Sequence, residues 1–543
     1  MKNIKLEGNI VDVVNKRIFK GYVIIADGLI ADVVETYVDS DKYILPGLVD
    51  AHVHIESSML IPSEFARLAV THGTVATISD PHEIANVLGA EGVRFMVENG
   101  KKVPFKFYFG APSCVPATPF ETSGAELNAD AIEDLLKSED IFYLAEMMNF
   151  PGVLSGDEEV FKKIAAAKKY NKPVDGHAPG VLGEDAKKYA AAGISTDHEC
   201  FSQAEAIDKI NAGMSVQIRE GSAAKNFEEL IPIIEKYSDK VMFCSDDKHP
   251  DDLAEGHINQ LVVRAVKKGY DILDVLKACT VNPIRHYNIN VGLLQKNDAA
   301  DCIIVDNLND FNVLKTYING VLVAENGTSL IQSCDATPIN NFHAEKILSK
   351  DLFVEAKSEK IAVFKAFDGQ LITESLVETA KVVENNIVSD IDNDNLKIVV
   401  LNRYQKCTPA IGFVKNFGIK RGAIASTVAH DSHNIIAVGA DDDSIAEAIN
   451  LVIKKQGGIS CVDGKENNVL PLPVAGIMSN DDGYNVGEKY AVIDAMSKKI
   501  GAKLDAPFMT LSFMALLVIP EMKLSDKGLF NGNIFQFTSL YIK

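Results

Sequence analysis

His52 and His54 stand two apart in PGLVDAHVHIESS, and they are the first of six side chains whose types suit a cation. Residues i and i+2 of a strand point to one face, so both imidazoles can bind one divalent ion. Glu146 in IFYLAEMMN, His177 in KPVDGHAPG, His198 in GISTDHEC and Asp246 in VMFCSDD follow, each closing a strand-like run. Taken singly, each has a plainer explanation. The His pair suits a strand end facing solvent. Glu146 suits a salt bridge, because a buried unpaired carboxylate is costly. A lone His is more often a satisfied core group, and Asp246 with Asp247 a helix cap. The joint pattern reverses that weighing if all these runs end at one place. Two ions about 3.5–4 Å apart can then hold a bridging hydroxide for hydrolysis, with one Glu146 oxygen on each.

One architecture gives distant strand ends a common mouth. From LVDAHVH the chain continues through VATISDPHE, FKFYFGAPS, FYLAEMM, KPVDGH, ISTDHE, SVQIREGS and VMFCSDD. Near-continuous apolar runs of this kind are expected of parallel strands buried on both faces. Helix-like stretches separate several of them, among them PSEFARLAVTHG with Gly73 as its cap, EEVFKKIAAAKKYN and NFEELIPIIEKYSD. The pattern predicts an α/β fold, a TIM-type (β/α)8 barrel over 46–288. An open doubly wound sheet gathers ligands at one switch point, whereas these candidates end many strands. Residues 1–45 and 289–339 read as short strands with turns at Asp27-Gly28 and Asn319-Gly320, and predict a small β-sandwich built from both flanks. Residues 340–543 predict an added α+β domain. It opens with a helical FHAEKILSKD and includes KIAVFKAF, LKIVVLNRY, HNIIAVGA and the helix DDSIAEAINLVIKKQGG.

A chain of 543 residues exceeds one ordinary core, which fits two or three domains. The net charge of −21 argues against a nucleic-acid binder, which would carry a basic stripe. No apolar run reaches the roughly 18 residues of a membrane span. FMTLSFMALLVIP is too short and reads as a core element. The first residues lack the apolar segment of a secretory signal. The 8 cysteines are scattered without a Cys-x-x-Cys pair, so a reducing cytoplasm is the expected setting.

The order His-x-His, bridging group, His, His, Asp resembles the amidohydrolase superfamily. Many of its members bridge the metals with a carboxylated Lys. Here the fourth run offers Glu146, and the second is followed by SDPHEIANV. With the added C-terminal region and its AHDSHN at 429–434, these features narrow the resemblance to the bacterial and archaeal adenine deaminases. The resemblance spans essentially the whole chain.

That resemblance implies hydrolytic deamination of adenine in purine salvage, two divalent ions, and a homo-oligomer without nucleic-acid or membrane partners. Imidazole with carboxylate suits Fe, Mn or Zn alike. The family favours Fe or Mn. Deamination needs a base for the attacking water and an acid for ring N1. Asp246, both ligand and nearby carboxylate, would take and return the proton. Asp80, His82 and Glu83 match the family's strand-two motif, with Glu83 as the N1 acid and the other two orienting it. The same Asp-Pro-His-Glu is also a plain helix start. Arg219 and Glu220 in IREGS and Ser113 in APSC are candidate substrate contacts, although an ion pair is the ordinary explanation for the first two. His430, Asp431 and His433 read as a polar loop, then as a lid, then as a third metal site. Competing functions are a cyclic-amide hydrolase such as a dihydropyrimidinase, and a metal-dead scaffold. The first usually wants the bridging Lys and the second usually lacks ligands.

Overall fold

The computed structural model describes residues 4–542. Strands Leu48–Val53, Thr74–Ser79, Lys106–Ala111, Ile141–Met147 and Val174–Gly176 pair in parallel, side by side. Thr196–Asp197, Ser215–Arg219 and Val241–Cys244 form a second parallel run. Two seams join the runs into a ring. At one, Ser195 N donates to Val174 O at 2.8 Å. At the other, Asp246 N donates to His52 O at 3.0 Å and His54 N to Asp246 O at 3.2 Å. These are the eight runs read from the sequence, in the same order. Helices cover the ring outside, so almost every strand residue is buried, and buried parallel strands carry no polar alternation.

Gly176 shows why the ring can be this tight. A Cβ there would lie 2.4 Å from the Thr196 carbonyl. Glycine alone permits that approach, and it brings the next residue, His177, beside the end of the sixth strand. The stretch 227–237 departs from the single helix its pattern predicts. It splits into Phe227–Leu230, a 3-10 turn at Ile231–Ile233 and Ile234–Tyr237. Pro232 explains the break, since it lacks an amide hydrogen and crowds the preceding turn.

The flanks meet in one eight-stranded sheet. Ile4–Asp12, Arg17–Ala26, Leu29–Glu35 and Tyr43–Pro46 come from the N-terminal side. Cys302–Val305, Val313–Ile318, Val321–Glu325 and Thr328–Ser329 come from beyond the barrel. The two sets join where Cys302 pairs with Pro46 and Val305 with Tyr43. The sheet folds over until Leu29 bridges Ala299, and it encloses Leu6, Ile10, Val23, Ile44 and Tyr317.

Beyond residue 357 a nine-stranded sheet carries the helix Asp442–Lys455 on one face, through Ile445, Ala448, Ile449 and Val452. The FHAEKILSKD segment corrects the sequence reading. It runs extended to a short 3-10 turn at Ser349–Leu352. Its amides are taken elsewhere: Ile347 N donates to Asn450 Oδ1 at 3.0 Å, and His343 N to Arg403 O at 2.7 Å. Tertiary partners have outbid the local helical preference. Helix Gly483–Lys499 packs on the barrel helices Pro62–Ala69 and Pro250–Glu255. There Arg67 Nη1 donates to Asp482 at 2.6 Å, which seats the C-terminal region on the barrel. The FMTLSF segment forms the buried helix Pro507–Phe513. Among the described residues, no helix is long and apolar enough to cross a membrane.

Candidate metal centre and active site

The six candidate ligands converge at the C-terminal ends of the barrel strands, and Glu146 lies between them. Its Oε1 is 3.4 Å from His54 Nε2. Its Oε2 is 2.7 Å from His177 Nδ1 and 3.0 Å from His198 Nε2. One carboxylate thus offers an oxygen to each of two imidazole groups. On the first side, Asp246 Oδ1 is 3.3 Å from His54 Nε2 and 3.7 Å from His52 Nε2. Asp246 takes φ +55°, which turns the chain at the strand end. That left-handed conformation costs on the order of 1–2 kcal/mol for most residues and is commonest in Asn and Asp.

The donors fit divalent cations. His54 Nδ1 lies 3.2 Å from the Asp80 carbonyl, which can only accept, so Nδ1 donates there and Nε2 is the nitrogen that a cation would take. His52 Nε2 and His54 Nε2 are 3.2 Å apart, and so are His177 Nδ1 and His198 Nε2. Ring nitrogens this close in a dry pocket need either a proton or a cation between them, and a divalent ion would serve both pairs. Burial pushes His52 well below its usual pKa, whereas the surrounding carboxylates outweigh burial and raise His54, His198 and, to about 9, His177; a bound ion would displace those protons. Burial opposes the charge on Glu146, but His177 and His198 hold its carboxyl well below the usual range. Burial likewise opposes the charge on Asp246, and Arg219 and His54 hold that carboxyl low. His52, His54 and Asp246 with one Glu146 oxygen would hold one ion. His177 and His198 with the other oxygen would hold the second.

A second cluster faces the same cavity. His82 Nδ1 is 3.2 Å from Glu146 Oε1 and 3.2 Å from Asp80 Oδ2. His82 Nε2 is 3.3 Å from Glu83 Oε1. Asp80 Oδ1 accepts from His82 N at 3.0 Å, and a helix does start here, at His82 with Glu83 in its first turn, although Pro81 and not Asp80 takes the cap position. His430 Nδ1 hydrogen-bonds one Glu83 oxygen and His433 Nε2 the other. Both imidazoles come from the loop between strands Ala423–Ser426 and Ile435–Gly439 of the C-terminal sheet. The polar-loop reading of AHDSHN is therefore corrected: the loop is buried in the barrel mouth. Asn434 Nδ2 donates to Thr122 O at 2.9 Å, and the buried Arg403 donates to His433 O at 3.3 Å. Two histidines in six residues, in a chain with only 12, were the one sequence signal for this.

The expected substrate contacts are placed differently. Arg219 lines the cavity, but its guanidinium is committed to Glu199 and, at 2.7 Å, to Asp246 Oδ2. Glu220 turns away and pairs with Arg264 at 2.5 Å, so its assignment to the substrate is withdrawn. Ser113 is withdrawn too: its Oγ donates to the Glu146 carbonyl at 2.5 Å and fixes the backbone of that residue. Met148, Glu199, Asp247, Asp431, Leu371, Phe513 and Leu516 complete the wall and were not singled out from the sequence as site residues, apart from Asp431.

A ring of parallel strands with imidazoles and carboxylates at its mouth is the site of a barrel hydrolase. Comparison with known proteins agrees. The amidohydrolase family model matches residues 43–323, and the adenine deaminase C-terminal domain model matches 370–536. A relative from Salinibacter ruber, named adenine deaminase, is 52% identical and is aligned over 99% of each chain. Relatives of the same name from Methanosarcina mazei and Sulfurovum sp. are 51% and 53% identical over at least 98% of each chain. The chain belongs to the amidohydrolase family and, within it, to the adenine deaminases.

Proposed function

We propose that this chain hydrolyses the exocyclic amine of adenine to give hypoxanthine and ammonia. One observation carries the reading: two separate acid–base devices, Asp246 and the Glu83 cluster, face one cavity. Attack at C6 needs a proton removed from water, and protonation of N1 makes the ring accept the electrons. Ions held by Glu146 and its partners would bring the pKa of water from about 15.7 to near 7. Asp246 takes the water proton and returns it to the departing amine. Glu83 relays a proton to N1, and the proton of the new C6 hydroxyl replaces it as the carbonyl forms and ammonia leaves. Fe or Mn is the proposed metal, with Zn compatible in ligand type.

His430 supplies what Glu83 lacks. Burial opposes ionisation of Glu83, but His430, His82 and His433 hold it well below the usual range. It is thus ionised at rest. Burial also opposes the charge on His430, but Glu83 and Asp247 outweigh it and raise its pKa to about 9. Burial holds His433 down to about 4, so it stays neutral. The stored proton belongs to the Glu83–His430 pair. A raised pKa keeps that proton at neutral pH and releases it as pH climbs through about 9. Turnover should therefore fall on that alkaline limb. His430→Asn should lower kcat about 100-fold and move the limb to lower pH. An unmoved limb removes His430 from the relay.

A cyclic-amide hydrolase is not favoured, since Glu146 occupies the bridging place. A metal-dead scaffold would lack ligands, and all six are present. The direct test follows the ultraviolet spectrum of adenine with the metal-reconstituted protein. Conversion to hypoxanthine with adenosine untouched is expected, and a preference for adenosine would redirect the substrate assignment.

A further inference from the structure

The cavity between Glu83 and Asp246 holds about 30 Å³, space for two or so water molecules. Adenine, with ten non-hydrogen atoms, needs far more. Beside it lies a vestibule of about 450 Å³, lined by Phe201, Asn226, Gly369, Gln370 and Ile372. Arg219 and Leu371 belong to both walls, so these two side chains stand between the vestibule and the centre, and Arg219 is held by its ion pairs. Leu371 lies in the hairpin connection between strands Lys360–Ala366 and Thr373–Thr379. The other apolar wall, Phe513 and Leu516, lies at the end of helix Pro507–Phe513.

One side chain ties the two together. Lys523 is wholly buried, and its Nζ donates to Leu371 O at 2.5 Å and to Phe513 O at 3.0 Å. Burial pushes its pKa down to about 7. An ammonium buried this deeply is costly unless its hydrogen bonds are needed there. The ring of Phe513 in turn stacks on His430 at 4.7 Å between centroids.

We infer that the connection Phe367–Ile372 is a gate through which the purine enters, and that Lys523 is the positioning residue that latches it shut against the helix backing His430. The gate must swing outward for substrate to reach the centre and then close behind it, excluding water from the reaction. Gly369 sits at φ +68° in this connection, and a Cβ there would touch the Ala223 carbonyl at 3.4 Å, so the hairpin tip rests on the loop after the seventh barrel strand.

The kinetic and hypoxanthine parts of the inference rest on the deaminase reading; the ligand-free exchange part does not. Lys523→Met keeps the apolar volume and removes the donor. In the metal-loaded protein without substrate, hydrogen exchange of the 368–373 amides should accelerate at least tenfold while the rest of the C-terminal sheet is unchanged. The KM for adenine should rise about tenfold, with a smaller fall in kcat. Unchanged exchange and KM overturn the latch, and so does a uniform rise across the domain, which marks ordinary destabilisation. Should this variant fail to fold, the wild-type protein still decides. Saturating hypoxanthine should slow exchange at 368–373 and 513–517, and no protection at either segment overturns the gate. Lack of turnover by the wild-type protein would sink the substrate assignment and leave the ligand-free exchange result standing.

Discussion

Glu83→Gln should leave metal content unchanged and lower kcat about 10³-fold, a loss near 4 kcal/mol of transition-state stabilisation. The amide matches the carboxylate in shape and its oxygen can still accept from one of the two imidazoles that Glu83 meets. It cannot pass a proton to N1. Glu83 is not among the six candidate ligands, and the nearest of those to its partner His82 is Glu146, 3.2 Å from His82 Nδ1. Metal analysis beside steady-state kinetics separates the two effects. A near-normal rate would remove Glu83 from the reaction, and loss of metal would make it a ligand instead.

Glu146→Gln should be at least as severe, for another reason. An amide has one acceptor oxygen and no charge, so it cannot serve both imidazole groups. Retained metal should fall to one equivalent or fewer, and turnover about 10⁴-fold or more, since activation of water from a pKa near 15.7 is forfeited. The burial of Glu146 sharpens this outcome. With the charge gone, His54, His177 and His198 lose the anion that faces them at 2.7–3.4 Å. Retention of two ions with normal turnover would show that some other group joins them.

Much of this centre was readable in the sequence because barrel strands are simple objects. Each is a buried apolar run whose last residue enters the mouth, so a ligand type at that position stands out, as at His177 and Asp246. The Asp80–Glu83 motif was readable for a similar reason, following the second strand directly. What the sequence left dark depends on contacts between distant segments. His430 meets Glu83 across 347 positions, and nothing local says that its loop enters the barrel. The ion pair that was the ordinary explanation for Arg219 is what the fold makes of it, but its partner Glu199 follows a different strand and could not be named from the sequence. Glu220, one residue on, alternates to the outside and finds Arg264. The 342–351 segment carries a helical pattern, yet Asn450 and Arg403 claim its backbone. Lys523 offered no pattern at all, since its meaning lies in two carbonyls more than 9 residues away.

The shared carboxylate is tested most directly by elemental analysis of the wild-type chain, equilibrated with Mn(II) and freed of loosely held metal. Two equivalents per chain are expected, both lost together in Glu146→Gln or reduced to one. A wild-type chain that retains a single ion, or none, would contradict a centre built around Glu146.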